Sequence, residues 1–420
     1  MKFDTVIIGG GLSGLVCGIR LSQQGQRCVI ISSGQSALHF SSGSFDLLNA
    51  LPDGKEIKNP IASIDGLIRQ SPEHPYAKLG NKFPAMALAA EHFFKDVDIP
   101  MQGSADQNHY RVTPMGSLKS TWLSAQGFAS SDKKDRLPWN KVAIFNLAGF
   151  LDFYPQFIAD EFIKLGTESD IHLFDLPDIE YLRRNPSELR STNIARVLDK
   201  NIDRLAEILN ANGSDSDAII FPACIGLKSD TLHKLRDQVK KPVFFLPTMP
   251  PSIIGIHTQQ HLHDYFLKLG GVYMLGDSIK KADIENNRVM RLYSYNHGDI
   301  PFMGNNVVLA TGSYFSQGLI ATSDRIYEPV FNLDVSFASD RKEWCNPKIF
   351  ESQGYQKYGV KTDELFRGLL KGKAIDNLYV SGAILCGFDP IKEGCGAGVS
   401  ILSALAIAES ILSNCLNLII

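Results

Sequence analysis

An α/β fold containing a Rossmann-like nucleotide-binding unit follows from three features of the chain. A glycine cluster at residues 9–14 lies between two short apolar runs. Apolar runs and helix-periodic stretches alternate through residues 139–250. Two late apolar runs, at residues 306–312 and 377–398, again end in glycine. Alternating β and α signals imply a largely parallel sheet covered by helices.

In chain order, Thr5–Ile8 reads as a strand, Leu15–Gln24 as a helix and Cys28–Ile31 as a second strand. Residues 34–138 are rich in Ser, Pro and Gly, with one helix-like patch at Ala85–Phe94. Then come Val142–Leu147 (strand), Pro155–Leu165 (helix), Ile171–Phe174 (strand) and Glu188–Leu198 (helix). Ala218–Phe221 and Val243–Leu246 read as strands bracketing a helix near Ser229–Val239. A helix from His257 to Leu269 stops at Gly270-Gly271, and Val272–Tyr295 reads as a small antiparallel excursion turning at Asn286-Asn287. The buried-strand pattern returns at Val307–Ala310 and Asn377–Ser381, and a terminal helix follows Gly394–Gly398. Strands from both ends of the chain therefore belong to one discontinuous domain, expected at residues 1–50, 256–320 and 372–420. Residues 51–255 are expected to form an inserted α/β domain for substrate or partner docking, and 321–371 a connecting segment.

Of 420 residues, 44% are apolar and 21% charged, which excludes wholesale disorder. With 42 basic and 45 acidic side chains the net charge is −3, an unpromising balance for a nucleic-acid or anionic-membrane binder. Met1–Ile8 runs directly into glycines, so no signal peptide is expected. Seven scattered cysteines include no Cys-x-x-Cys pair, which leaves neither a zinc ribbon nor an iron–sulfur motif; reduced thiols are expected. Val399–Ile420 is long enough to span a bilayer, but Glu409, Asn414 and the helical recurrence of Ile401, Leu405, Ala408, Ile411, Leu412 and Cys415 favour a core helix. His257 and His261 share a helix face, with His263 beyond, but no acidic partner accompanies them and no metal site is expected.

Gly9, Gly11 and Gly14 fit the G-x-G-x-x-G pattern between a strand and a helix. The first glycine permits a tight turn, the second lets backbone approach a phosphate, and the third lets the helix pack close to the sheet. The helix N-terminus then offers free N–H groups and a positive dipole end to the anion. A dinucleotide also needs a carboxylate at the end of the second strand, to hold the adenosine ribose. That place reads Ile31-Ser32-Ser33-Gly34. Its absence points to a cofactor with a phosphate but no adenosine half, namely FMN, with FAD as the alternative.

These three glycine-terminated segments resemble the flavoprotein oxidoreductases of the fumarate-reductase and glycerol-phosphate-dehydrogenase type. Longer strings resemble the B-subunit family of anaerobic glycerol-3-phosphate dehydrogenases: residues 34–44, Arg111–Pro114, Leu118–Leu123, Asn193–Arg196, Leu246–Ser252, Gly387–Ile391 and Gly394–Gly396. The resemblance implies an FMN-containing component of a respiratory complex that oxidises sn-glycerol 3-phosphate to dihydroxyacetone phosphate, with a quinone as acceptor. It implies two partners, a FAD-bearing A subunit plus a membrane-anchored iron–sulfur subunit. This chain would relay electrons between them, held from the cytoplasm at the inner face of the membrane. A self-sufficient FAD oxidoreductase of a small hydroxy compound and a flavin-free structural subunit remain alternatives.

The expected cofactor contacts are Gly9, Gly11, Gly14, Ser32, Ser33, Ser41, Ser42, Gly43, Gly312, Gly382, Gly396 and Ala397. The terminal helix is expected to aim its positive end at the flavin ring, where reduced-flavin charge builds; close packing is the other use of its glycines. No catalytic residue stands out. His39 is a candidate proton carrier or a structural histidine. Arg111 and Lys119 are candidates for a substrate phosphate, or for a solvated face or subunit contact. Lys392 and Glu393 are either site residues or exposed.

Overall fold

The computed structural model describes residues 1–185, 188–227 and 231–417, the side chains of 415–417 excepted. The elements that build the site are β1 (Lys2–Ile8), α1 (Leu12–Gln23) and β2 (Cys28–Ser32), then α2 (Ile253–Lys268), β3 (Val272–Leu275) and β4 (Met303–Leu309). The chain closes with β5 (Arg367–Leu370), β6 (Lys373–Val380) and α3 (Gly396–Asn417). They form a six-stranded sheet in the order β3-β2-β1-β4-β6-β5. All neighbours are parallel except β5, which runs antiparallel along β6.

Parallel pairing in register brings four strand ends to one edge. Ile8 lies opposite both Ile31 and Leu309, and Leu309 lies opposite Val380. Gly9, Ser32, Ala310 and Ser381 therefore stand side by side, at the carboxyl edge where open α/β sheets bind ligands. Residues 6–8, 28–31, 307–309 and 378–380 are buried throughout, as continuous apolar runs covered on both faces require. A hairpin, Ile279–Glu285 with Arg288–Ser294, packs against β4 and β6. It turns at Asn286 and Asn287, both at positive φ. Buried Asn377 ties it to β6, accepting from the Val289 N–H at 2.8 Å and donating to the Val289 carbonyl at 3.0 Å.

Two of these strands differ from the expected layout. Val272–Leu275 does not belong to the antiparallel excursion but pairs in parallel with β2, so the excursion starts at Ile279. Arg367–Leu370, expected in a connecting segment, is the sheet's antiparallel edge. Val272–Leu275 is apolar throughout but only partly buried, and Arg367–Leu370 opens on Arg and Gly, as half-exposed edge strands allow.

A second sheet, in the order 168–174, 141–147, 218–222, 243–246, is parallel throughout and carries its own core from Val142, Phe145, Ile158, Phe162, Ile220 and Phe245. The alternation expected over residues 139–250 is realised there. The helix expected near Ser229 spans Thr231–Gln238; Ser229 itself lies outside the described residues. Most of residues 47–123 contribute instead to the core of the first sheet, through Leu48, Leu67, Phe83, Phe94 and Trp122, while Val112 packs into the second. On core membership, the body with an independent interior extends from about Ala125 to Leu246. Two helices in 47–123 have no counterpart in the sequence reading, at Pro60–Gln70 and Pro75–Leu79. The first announces itself by Asn59, whose Oδ1 accepts the Ala62 N–H at 2.8 Å, followed by Pro60 at the first helical position.

Among the described residues α3 has the one stretch long and apolar enough to cross a membrane, Gly396–Asn414. Its side chains Val399, Ile401, Leu402, Leu405, Ile407, Ala408 and Ile411 are buried against the domain and Glu409 is exposed, which is the pattern of a core helix. The side chain of Cys415 lies outside the described residues. The start of α3 is held very close to its neighbours: a Cβ on Gly398 would stand 2.2 Å from the Tyr76 hydroxyl, which donates to the Leu47 carbonyl at 2.8 Å. Replacing Gly398 by Ala is expected to lower unfolding free energy by about 1–3 kcal/mol through overpacking, read from urea denaturation.

Candidate functional site

The glycine turn between β1 and α1 is built by steric necessity. Gly9 has φ +111°, and a Cβ there would lie 2.2 Å from the Ala310 carbonyl oxygen. A Cβ on Gly14 would lie 2.0 Å from the Gly9 carbonyl oxygen, so both positions exclude any side chain. Gly11 differs: it caps α1 with φ −81°, and its Cβ position meets only Ser36, at 3.6 Å. No side chain caps α1, so its first N–H groups face the strand edge unscreened.

The neighbouring strand ends complete this cradle. Gly312 has φ +77° in the turn after β4, and beside it the Thr311 Oγ1 is buried without a hydrogen-bond partner. Gly382, at φ +84°, comes within 2.9 Å of Ser13 Cβ by its Cβ position. A buried chain of hydroxyls, Ser13 to Ser381 at 2.5 Å and Ser381 to Ser403 at 2.9 Å, ties α1, β6 and α3 together. Open backbone at Gly11, an uncapped helix and an orphaned hydroxyl are what an anionic phosphate group needs. A phosphate-bearing nucleotide cofactor fits.

At the end of β2, Ser32 donates to the Gly34 carbonyl at 2.9 Å and Ser33 is exposed. Side chains from α2 and β3 close over this corner. Gln259 Nε2 and the Tyr273 hydroxyl both donate to the Gly10 carbonyl, at 3.0 and 3.2 Å, and Ser36 donates to Gln259 Oε1 at 2.5 Å. A Cβ on Gly10 would lie 1.9 Å from the Tyr273 oxygen. Among the described residues, no carboxylate bonds to these groups.

The loop after β2 runs along the start of α2. Its short 3-10 turn, Ala37–Phe40, lies so close that a Cβ on Gly255 would meet the Leu38 carbonyl oxygen at 2.0 Å. Ser41 Oγ accepts from the Gly43 N–H at 3.2 Å, and Ser42 and Ser44 share a hydrogen bond of 3.1 Å. Gly43, at φ +80°, packs against Ile254, and its carbonyl accepts from the Ala125 N–H at 2.7 Å. His39 is half-buried, and burial lowers its pKa, so its imidazole is neutral near pH 7.

Asp46, two residues past Ser44, joins three of the expected regions. Its carbonyl accepts the Gly398 N–H at 2.9 Å in the first turn of α3. Its Oδ2 pairs with Lys119 Nζ at 3.2 Å, and its charge acts favourably on Arg111. Arg111 and Lys119 are register partners in an antiparallel pair of short strands, His109–Val112 and Leu118–Thr121, so both project from the same face. Burial pulls the Arg111 pKa down, with Asp46 partly offsetting it. Gly396 and Ala397, at the opening of α3, are partly exposed. Sequence reading selected Arg111, Lys119 and the Ser41–Ser44 loop separately; Asp46, Gln259, Tyr273 and Thr311 were not selected, because isolated polar residues carry no periodic or motif signal.

A buried cluster lies just before α3. His74 and Glu393 are 0% and 1% exposed, with Nε2 and Oε2 3.4 Å apart, and Cys395 Sγ lies 3.8 Å from the same nitrogen. Lys392 is exposed and Glu393 is not. The three side chains have ligand types and spacing suited to a metal, but His74 Nδ1 accepts the Tyr76 N–H at 3.0 Å. A neutral imidazole in that position carries its proton on Nε2 and donates it to Glu393, whereas a metal-bound histidine donates from its other nitrogen. The cluster is therefore a hydrogen-bonded packing unit. His261 Nε2 lies 2.6 Å from the Val97 carbonyl, away from any shared ligand position with His257.

The family model described as FAD binding domain matches residues 4–399. Over nearly full length the chain is 47% identical to the anaerobic glycerol-3-phosphate dehydrogenase B subunit of Yersinia enterocolitica, covering 98% of this chain and 99% of that one. It is 44% identical to the same subunit of Pectobacterium atrosepticum, with 99% of each chain covered. The chain belongs to the B-subunit family of anaerobic glycerol-3-phosphate dehydrogenases. The family is one of flavin-dependent oxidoreductases. Among solved structures, quinol fumarate reductase of Escherichia coli aligns with TM-score 0.44 at 9% identity, covering 98% of this chain and 70% of that one. A 3-ketosteroid dehydrogenase of Rhodococcus jostii aligns with TM-score 0.42 at 9% identity, covering 97% and 96%.

Two measurements test this geometry. Gly11→Asp places a carboxylate at the open phosphate position while supplying a good helix cap. Visible flavin absorbance is expected to vanish while unfolding free energy stays within about 0.5 kcal/mol or rises. Burial lowers the His74 pKa, so below about pH 6.5 the unfolded chain binds a proton that the folded chain refuses, and stability falls as pH drops. His74→Gln keeps an acceptor for Tyr76 and a donor for Glu393 without titrating. Its unfolding free energy is expected to depend less on pH than the wild type's, from about pH 6.5 down to the depressed folded value.

Proposed function

We propose that this chain is the FMN-bearing B subunit of a respiratory glycerol-3-phosphate dehydrogenase complex. It takes part in oxidation of sn-glycerol 3-phosphate to dihydroxyacetone phosphate, with a quinone as the final acceptor. In this reading it relays electrons beside a FAD-bearing A subunit, while an iron–sulfur subunit carries the pair to the inner face of the cytoplasmic membrane. The full-length likeness to B-subunit chains supports the reaction and the place in the complex.

The observation that carries FMN is the corner at the end of β2. Ser32 and Ser33 stand where a dinucleotide fold needs a ribose-binding carboxylate. Tyr273 and Gln259 close over Gly10 there, with Gln259 held by Ser36. A flavin ending in one phosphate needs only the Gly9–Gly14 turn, the uncapped α1 and Thr311.

Bound flavin supplies two-electron chemistry; the chain supplies position and charge. Gly9, Gly11, Gly14, Gly312 and Gly382 leave backbone room for the phosphate end. Ser41, Ser42 and Gly43 lie on the loop assigned to the ribityl and ring region. The opening of α3 at Gly396 and Ala397 would present a positive helix end to the ring, favouring the charge that builds on reduction. His39, neutral near pH 7, is able to accept a proton there.

Purifying the chain alone and with its partner, releasing the cofactor with acid and identifying it by chromatography tests the assignment. FMN is the expected result. FAD would overturn the cofactor, and colourless protein under both conditions would overturn the flavin role.

A further inference from the structure

Around Asp46 the protein leaves both a donor and an acceptor unsatisfied, and the two together specify a ligand. Arg111 Nε and Nη1 are sealed from solvent and have no hydrogen-bond partner. Asp46 Oδ1 is likewise sealed and unpartnered, its other oxygen being taken by Lys119. A buried unpaired guanidinium group is strongly unfavourable, and its nearest favourable charge, Asp46, leaves both buried nitrogens unbonded. The two residues do not satisfy each other.

An anion alone would serve Arg111 but be repelled by Asp46. A neutral polyol would serve Asp46 and leave the guanidinium unpaired. A small molecule with a phosphate at one end and a hydroxyl at the other satisfies both, since guanidinium groups bind phosphate in charge-assisted pairs and a carboxylate accepts from a hydroxyl. Lys119, held 3.2 Å from Asp46, adds positive charge on the same face. The Asp46 main chain bonds the first turn of α3, so these groups adjoin the helix end assigned above to the flavin ring.

We infer that Arg111 and Asp46 form a binding site on this chain for a hydroxylated phosphomonoester, with the phosphate on Arg111 and a hydroxyl on Asp46 Oδ1. The inference rests on the proposed function, whose substrate belongs to that class, and adds direct substrate contact to the chain's relay role.

Calorimetric titration of the flavin-loaded full chain with two probes, sn-glycerol 3-phosphate and inorganic phosphate, tests it. The wild type is expected to bind both, glycerol 3-phosphate more tightly. Arg111→Gln is expected to weaken both about tenfold or more, and Arg111→Lys to recover part of the loss. Asp46→Asn is expected to weaken glycerol 3-phosphate about tenfold while leaving inorganic phosphate unchanged or tighter. Absence of binding by wild type would overturn the site, meaning that water satisfies these atoms. Equal loss of both probes in Asp46→Asn would overturn the hydroxyl assignment. Flavin identity, read on the same samples, separates the two readings: FAD in place of FMN would overturn the cofactor assignment with the two-probe pattern intact.

Discussion

The contact on which the site depends is between two turns distant in sequence. The Ala310 carbonyl oxygen approaches Gly9 so closely that a Cβ would stand 2.2 Å away, and the Gly9 carbonyl does the same to Gly14. These approaches exist because β1 pairs with β4 in parallel register, Ile8 opposite Leu309. Shift that register by one residue and the turn after β4 moves off the glycine cradle, taking Thr311 and Gly312 with it. Packing of α1 against the sheet, the uncapped helix end and the open backbone at Gly11 all follow from this alignment.

Around that rigid edge the chain places polar groups of two kinds. Some are hydrogen-bonded between elements and hold them together: the Ser13–Ser381–Ser403 hydroxyl chain, Asn377 on the hairpin and His74 on Glu393 Oε2. Others are buried and left open: Thr311 Oγ1, Arg111 Nε and Nη1, and Asp46 Oδ1. Proteins seldom leave buried polar atoms unpaired, and in the reading proposed above these four receive ligand groups. Beside α3 the His74–Glu393–Cys395 cluster has metal-like composition, yet its imidazole proton is engaged by Glu393 Oε2, while Glu393 Oε1 is buried without a partner.

Much of this was legible in residue order. Continuous apolar runs bounded by glycine located β1, β2, β4 and β6, because strands covered on both faces must be apolar throughout. The same logic located the four strands of the inserted sheet. β3 carries the same apolar run between Gly271 and Gly276, and only its partner was misassigned, since pairing leaves no mark on a short run. β5 begins with Arg and Gly and escaped, and Pro60–Gln70 went unread in a Pro- and Ser-rich stretch despite its Asn59 cap. At the site, motif spacing found Gly9, Gly11 and Gly14. Arg111 and Lys119 were legible as a basic pair, but their relation to Asp46 was not.

Residue order alone determines the glycine turn at Gly9–Gly14, the missing carboxylate at Ser32-Ser33 and the core character of the terminal helix. Each depends on local spacing or on which residue types a buried segment tolerates. Tertiary structure decides how the corner at Gly10 is closed by Gln259 and Tyr273, some 250 residues on, and that Asp46 meets Arg111, Lys119 and α3 at once. Those contacts depend on sheet order and register, which join residues by space and leave no periodic trace along the chain.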